Sequence, residues 1–147
     1  MSYSTGEALL LTRVRACTGF SSSNTSRGNW RIINTGKGSV YAILRPGPDA
    51  SEIEWISPNT YRVRWRCVVE VWQHYTDDGT TATNLYSNVS ALLAVLTYPK
   101  LGGALTDSSI DGIGALERRW LDDGGPIFLS QDIYIHWDEE TTVAFAE

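Results

Sequence analysis

The sequence predicts an α+β fold, a single domain over residues 1–147 in which a mostly antiparallel sheet carries two helices on one face. Three observations predict it. Residues 60–75 form a long run whose odd positions, Tyr61, Val63, Trp65, Cys67, Val69 and Val71, are all apolar. Its even positions open with Arg62, Arg64 and Arg66 and then mix Val68, Glu70, Trp72 and His74. Successive side chains of a strand point to opposite faces, so one face of this strand packs a core while the other carries charge. Two further segments space their apolar residues as helices do. The third observation is their order: helix, two or three strands, the long strand, helix, two strands.

The first helix opens at Thr5-Gly6-Glu7, with Ser4 or Thr5 as cap and Glu7 favourably placed near the positive end. Leu10, Leu11, Val14 and Cys17 form its apolar stripe, and Thr18-Gly19 ends it. Residues 21–28, SSSNTSRG, read as a polar flexible loop. Residues 30–33 and 39–45 flank Asn34-Thr35-Gly36-Lys37-Gly38 and read as a hairpin, closed by Pro46-Gly47-Pro48. A short strand at 52–56 precedes the turn Ser57-Pro58-Asn59 and the long strand.

After the turn Asp77-Asp78-Gly79, residues 80–99 give the strongest helical pattern. Leu85, Val89, Leu92, Leu93 and Leu96 make its stripe, with Thr81 or Thr83 as cap and Pro99 just past the end. Residues 105–121 and 126–137 are strand-like, and Asp122-Asp123-Gly124-Gly125 joins them as an antiparallel hairpin. In the second run Ile127, Leu129, Ile133, Ile135 and Trp137 share a face, interrupted by Gln131. The acidic tail, 138–147, reads as extended. Its apolar tip, Val143-Ala144-Phe145-Ala146, either docks on a neighbouring subunit or frays.

Composition narrows the function. The chain is 42% hydrophobic and 20% charged, ordinary for a soluble globular domain. Twelve basic against seventeen acidic residues give a net charge of −5, which disfavours a generally basic nucleic-acid binder and suits a channel that DNA traverses without adhering. Cys17 and Cys67 fall in apolar settings and read as buried thiols. There is no signal-peptide pattern and no apolar run of about 18 residues, so folding in a cytoplasm without a membrane is expected. Six Trp and seven Tyr supply a core and, where exposed, candidate subunit contacts.

No catalytic, metal or cofactor site emerges. His74 and His136 lie near the ends of two strands, and Asp77 or Asp138 would have to complete a metal site, but no HExxH, CxxC or HxH spacing is present. Gly36-Lys37-Gly38-Ser39 is superficially like a phosphate loop, yet Arg31 stands where the first glycine belongs and strands flank the turn. Asp77-Asp78 and Asp122-Asp123 adjoin glycines and serve turns. The one candidate site is the stripe Arg62, Arg64 and Arg66, with guanidinium groups about 7 Å apart along one face. It would meet DNA phosphates or, by preference, pair with acidic side chains of a sheet neighbour or an adjoining subunit.

In the block from Tyr61 to Trp137, the strand RVRWRCVVEVWQHY meets the turn DDGT and the helix NLYSNVSALLAVL. PKLGGALTDSSIDGI follows, then the hairpin around DDGGPIFLSQDIYIHW. In this order the chain resembles the tail-terminator family of long-tailed bacteriophages. The resemblance implies a non-enzymatic virion protein without cofactors. It would form a homo-oligomeric, typically hexameric ring capping the head-proximal end of the tail tube, ending polymerisation and offering the joining surface to the connector or neck. Genome DNA would pass through its lumen without sequence-specific binding. The protein would be made in the host cytoplasm and reside in the virion, at the neck. Segment 46–58 and the acidic tail depart from the family's pattern. The alternative within the same virion is a head-completion, connector or other neck protein. Outside it, the alternatives are a small metal- or ligand-dependent enzyme using His74 and His136, or a monomeric DNA-binding module.

Overall fold

A computed structural model describes residues 2–35, 40–47, 51–97, 109–120 and 127–143. Its centre is an antiparallel pair of long strands, β4 (Thr60–His74) and β7 (Ile127–Thr142). They stay in register over fifteen consecutive pairs, from Thr60 opposite Thr142 to His74 opposite Phe128. The alternation read from the sequence therefore acts on both strands at once. Cys67, Val69 and Val71 share a buried face with Leu129, Ile133, Ile135 and Trp137.

Two helices cover that face. Helix α1 (Tyr3–Ala16) contributes Leu10, Leu11 and Val14, and α2 (Asp78–Thr97) contributes Leu85, Val89, Leu92 and Leu96. Cys17 and Cys67 are buried free thiols, and burial pushes Cys67 up to about 12, which keeps it an inert thiol. Strand β2 (Val40–Pro46) pairs antiparallel with the 67–73 half of β4, and β1 (Thr25–Arg27) pairs parallel with β2. Strand β3 (Glu52–Ser57) lies beside the other half of β4, against residues 60–64. On the far side of β7 lie β5 (Ser109–Ile113) and β6 (Glu117–Trp120). The result is one mostly antiparallel seven-stranded sheet of order β1-β2-β4-β7-β5, with β3 and β6 off that path, and both helices on one face.

The helix layer stops before the long strands do. Tyr3, at the start of α1, stacks on Trp137 with ring centroids 5.6 Å apart and meets Trp65 edge-on at 6.2 Å. Beyond that level β3, residues 60–64 of β4 and residues 138–142 of β7 continue as a three-stranded arm.

Several expectations need correction. Residues 30–33 are not a strand: Trp30–Thr35 is a 3₁₀ helix. It lays Ile33 against Tyr41, Ile43, Trp72 and Phe128 in a second small core on the face opposite the helices. The expected partner of that segment, β2, pairs with β4 instead, and the glycine turn at 36–39 lies outside the described residues. Within the expected loop 21–28, β1 forms because polar side chains tie it down. Asn24 donates to the carbonyls of Gly19 (2.8 Å) and Val40 (3.1 Å) and accepts from the Ser21 amide. Arg15 donates to Thr25 Oγ1 at 2.8 Å, and Arg27 pairs with buried Glu7 at 2.6 Å.

Helix α1 starts two residues early, with Ser2 as its cap accepting from the Thr5 amide. Helix α2 starts at Asp78, where Asp77 accepts from the Thr80 amide. Thr81, expected as a cap, is one turn in and accepts backwards from the Thr76 amide. Pro99 and the Asp122-Asp123-Gly124-Gly125 connection lie outside the described residues. The acidic tail is part of the sheet as far as Thr142, and the Val143 amide donates to the Asn59 carbonyl. Residues 144–147, with the apolar tip, are outside the description.

At Gly6 the backbone of α1 packs directly against the sheet: a Cβ there would land on the indole of fully buried Trp137. The helix-propensity gain of Gly6→Ala, about 1 kcal/mol, is smaller than the expected overpacking of about 1–3 kcal/mol. Urea unfolding should show a lower midpoint for this variant, and a midpoint at or above the parent's would refute the close packing.

Candidate assembly surface

The arginine stripe lies on the open face of the sheet, and its register determines what it meets. Arg62 stands opposite Glu140 and Arg64 opposite Asp138. Arg62 Nη2 donates to Glu140 Oε1 at 3.0 Å. Arg64 grips Asp138 with two bonds, Nε to Oδ1 at 3.0 Å and Nη2 to Oδ2 at 3.3 Å. Arg66 reaches Glu52 of β3 at 2.9 Å and Asp111 of β5 at 3.7 Å. All three cations are thus engaged by carboxylates of neighbouring strands in the same chain. The bond from Arg64 holds Asp138 below the ordinary carboxylate range, against the smaller effect of its burial.

The lattice continues towards the core end of the sheet. Glu70 and Asp132 face each other in register, two acids side by side. Arg45 bridges them, 2.6 Å from Glu70 and 3.6 Å from Asp132. Arg119 lies 3.7 Å from Glu70 with its guanidinium 5.3 Å above the Trp72 ring. Trp72 Nε1 also donates to Glu70 at 3.3 Å. Asp132 Oδ1 is buried without a partner. Burial first, and the Glu70 charge second, raise the Asp132 pKa.

The two histidines do not meet. Strands β4 and β7 are neighbours, but antiparallel pairing puts His74 opposite Phe128 and His136 opposite Arg66. Eight residues along a strand separate those levels, about 27 Å. His136 Nδ1 instead contacts Asp111 Oδ1 at 2.5 Å, and Ser109 Oγ lies 3.1 Å from Nε2. The trio is superficially like a Ser-His-Asp triad, yet Ser109 Oγ is also 3.3 Å from Nδ1. An oxygen nearly equidistant from both ring nitrogens lies over the ring rather than in line with the Nε2 lone pair, so His136 is not aligned to take its proton. Asp111 serves as a link between Arg66 and His136 that ties β5 to the sheet. Among the described residues there is no group of three or more His, Cys, Asp or Glu placed to hold a metal, and no helix long and apolar enough to cross a membrane.

The arm's other face is the one the sequence reading did not single out. Ile53 and Trp55 of β3 stand opposite Val63 and Tyr61 and share the helix-bearing face. Past the helix layer nothing described covers them: Ile53 is 66% and Trp55 61% exposed, with Ile56 beside them. The Trp55 and Tyr61 rings lie 5.2 Å apart and stiffen the patch. A second apolar patch, Ile113, Leu116 and Trp120, sits at the opposite edge of the sheet on β5, β6 and their connection. In the sequence, Glu-Ile-Glu-Trp looks like any edge strand with a buried inner face. The surplus of aromatic residues was the available signal, but it does not say which of them are uncovered.

Compared with known proteins, the chain matches no family model and no curated protein.

The two perturbed aspartates predict opposite pH effects. A carboxyl with a lowered folded-state pKa stabilises above the ordinary carboxylate range and loses that contribution as pH falls. A raised one penalises folding at neutral pH and is relieved as pH falls. Relative to the parent, Asp138→Asn should therefore lose its disadvantage on acidification, while Asp132→Asn should lose ground. Denaturant midpoints measured between pH 7 and acid would contradict this if both variants moved in the same direction.

Proposed function

We propose that this chain is a structural virion protein, a tail terminator that assembles as a ring on the head-proximal end of a phage tail tube. The observation that carries this reading is the uncovered apolar face of the arm, Ile53 and Trp55, on an acidic chain. Contiguous exposed aromatic and aliphatic side chains beside charged neighbours mark protein docking surfaces. The arm is held by the β4–β7 ladder rather than by a loop, so it presents that surface already ordered. The likeness of the 61–137 block to tail terminators supplies the setting. In that setting copies of the chain close a ring, typically of six, the tube protein lies below, the connector lies above, and the ring blocks further tube growth. The open face mixes arginines with at least as many carboxylates, which suits DNA passing by without adhering. A head-completion or neck protein of the same virion is the second reading, since an assembly arm serves either slot.

Electron microscopy of particles from a phage lacking this gene tests the assignment. Overlong or headless tails beside DNA-filled tailless heads are expected, and normal tails with leaking heads would move the protein to the head side. Intact infectious particles would overturn both readings. Complementation with Trp55→Glu should fail to restore titre although the variant folds, because Trp55 is exposed.

A further inference from the structure

We propose that the outer edge of β3 is a strand-addition site for an extended segment of a partner protein in which basic and apolar residues alternate. This inference rests on the arm being an assembly surface, as proposed above, and names the chemistry of what the arm receives.

The edge is open. Within the sheet β3 pairs only with β4, and among the described residues no backbone bond reaches it from its other side. Every residue from Glu52 to Ile56 is exposed. An edge strand carries a row of unpaired backbone donors and acceptors, which an added strand satisfies. Sheets commonly blunt such an edge with proline, lysine or a bulge. Residues 52–55 have none of these: their register with β4 is regular and shifts only after Trp55.

The chemistry of the occupant follows from the partner β3 already has. Glu52, Ile53, Glu54 and Trp55 stand opposite Arg64, Val63, Arg62 and Tyr61. Residues opposite one another share a face, so β3 is acidic on the open face and apolar on the helix-bearing face. A strand added on its outer side meets the same two rows in the same alternation. It has to set basic residues beside the glutamates and apolar ones beside Ile53 and Trp55, as β4 does from the inner side. Both glutamates are accessible from there. Glu54 is in no ion pair among the described residues. Glu52, although 2.9 Å from Arg66, keeps 65% of its side chain exposed.

The same alternation selects against a second copy. Antiparallel pairing of two β3 strands that matched apolar to apolar would set glutamate against glutamate. The chain as a whole is acidic too, which disfavours both a second copy and nucleic acid as the occupant.

Backbone amide NMR of the full chain tests this, with the blocked peptide TYRVRWR, the sequence of residues 60–66, as probe. In a titration up to about 1 mM, shifts should concentrate in the amides of Glu52–Trp55 and saturate. The charge-reversed peptide TYEVEWE should leave those amides unmoved, and added salt should weaken the basic peptide. Glu54→Lys, at an exposed position, should lower the affinity of the basic peptide about fivefold. Should that variant fail to fold, the two peptides on the parent chain decide alone. Shifts that fall elsewhere, or none at all, would overturn the site, and an equal response to both peptides would overturn the charge pattern. Shifts of the β3 amides on raising protein concentration without peptide would make a second copy the occupant and overturn the proposal. None of these outcomes depends on tail morphology, so failure here is distinguishable from failure of the terminator reading.

Discussion

The register between β4 and β7 is the constraint on which the other features depend. Fifteen antiparallel pairs hold two strands whose faces differ completely. Because side chains alternate with a period of two, a slip of one residue would turn Arg62, Arg64 and Arg66 to the helix-bearing face and expel Cys67, Val69 and Val71 from the core. Trp137 is where that register meets the helix layer. Its indole is fully buried, stacked by Tyr3 and approached by the bare backbone of Gly6. On one side of that tryptophan the sheet is roofed by helices; on the other it is an uncovered arm.

The open face shows how a sheet does without a second helix layer. Near β2 it has a small apolar cluster around Tyr41, Ile43, Trp72 and Phe128. Elsewhere it is tiled by arginine–carboxylate pairs that cross strands: β4 to β7, β4 to β3, β4 to β5 and β2 to β4. Exposed pairs of this kind contribute about 0–1 kcal/mol each, so their sum is a modest part of stability. Their larger effect is on alignment, since a displaced strand would bring like charges together. Glu70 and Asp132 are the exception within the lattice, two acids in direct register that require Arg45 and Arg119.

Much of this architecture was legible in the sequence. The long strand, both apolar helix stripes and the alternating last strand are strong periodic signals, and the structure has them with shifts of a few residues. The errors fall where periodicity is silent. Strand β1 is Thr-Ser-Arg, with no apolar face to announce it, and it is held by the Arg15 bond to Thr25, the Arg27 bond to Glu7 and the Asn24 bond to Val40, each joining residues ten or more apart in sequence. The segment at 30–35 has apolar residues that fit a strand or a 3₁₀ turn equally, and only the position of the Tyr41–Trp72 cluster decides. The acidic tail looked like a terminus because its partners, Arg62 and Arg64, lie some seventy-five residues earlier. The arginine stripe was visible for the same reason that its fate was not: alternation places a side chain on a face but does not say what stands across from it. The apolar patches depend on where the helix layer ends, which no local pattern encodes.

The long ladder also bears on force. Its hydrogen bonds lie across the strand axis, so a pull on the Pro58–Asn59 tip directed along β4 loads the β4–β7 bonds together, in shear. Peeling the same sheet from β1 would break its bonds one after another. An arm that reaches outward by extending two central strands, rather than by adding a flexible loop, is therefore strongest along its own length. Whatever docks there can be tugged along the strand direction while the domain behind it stays folded.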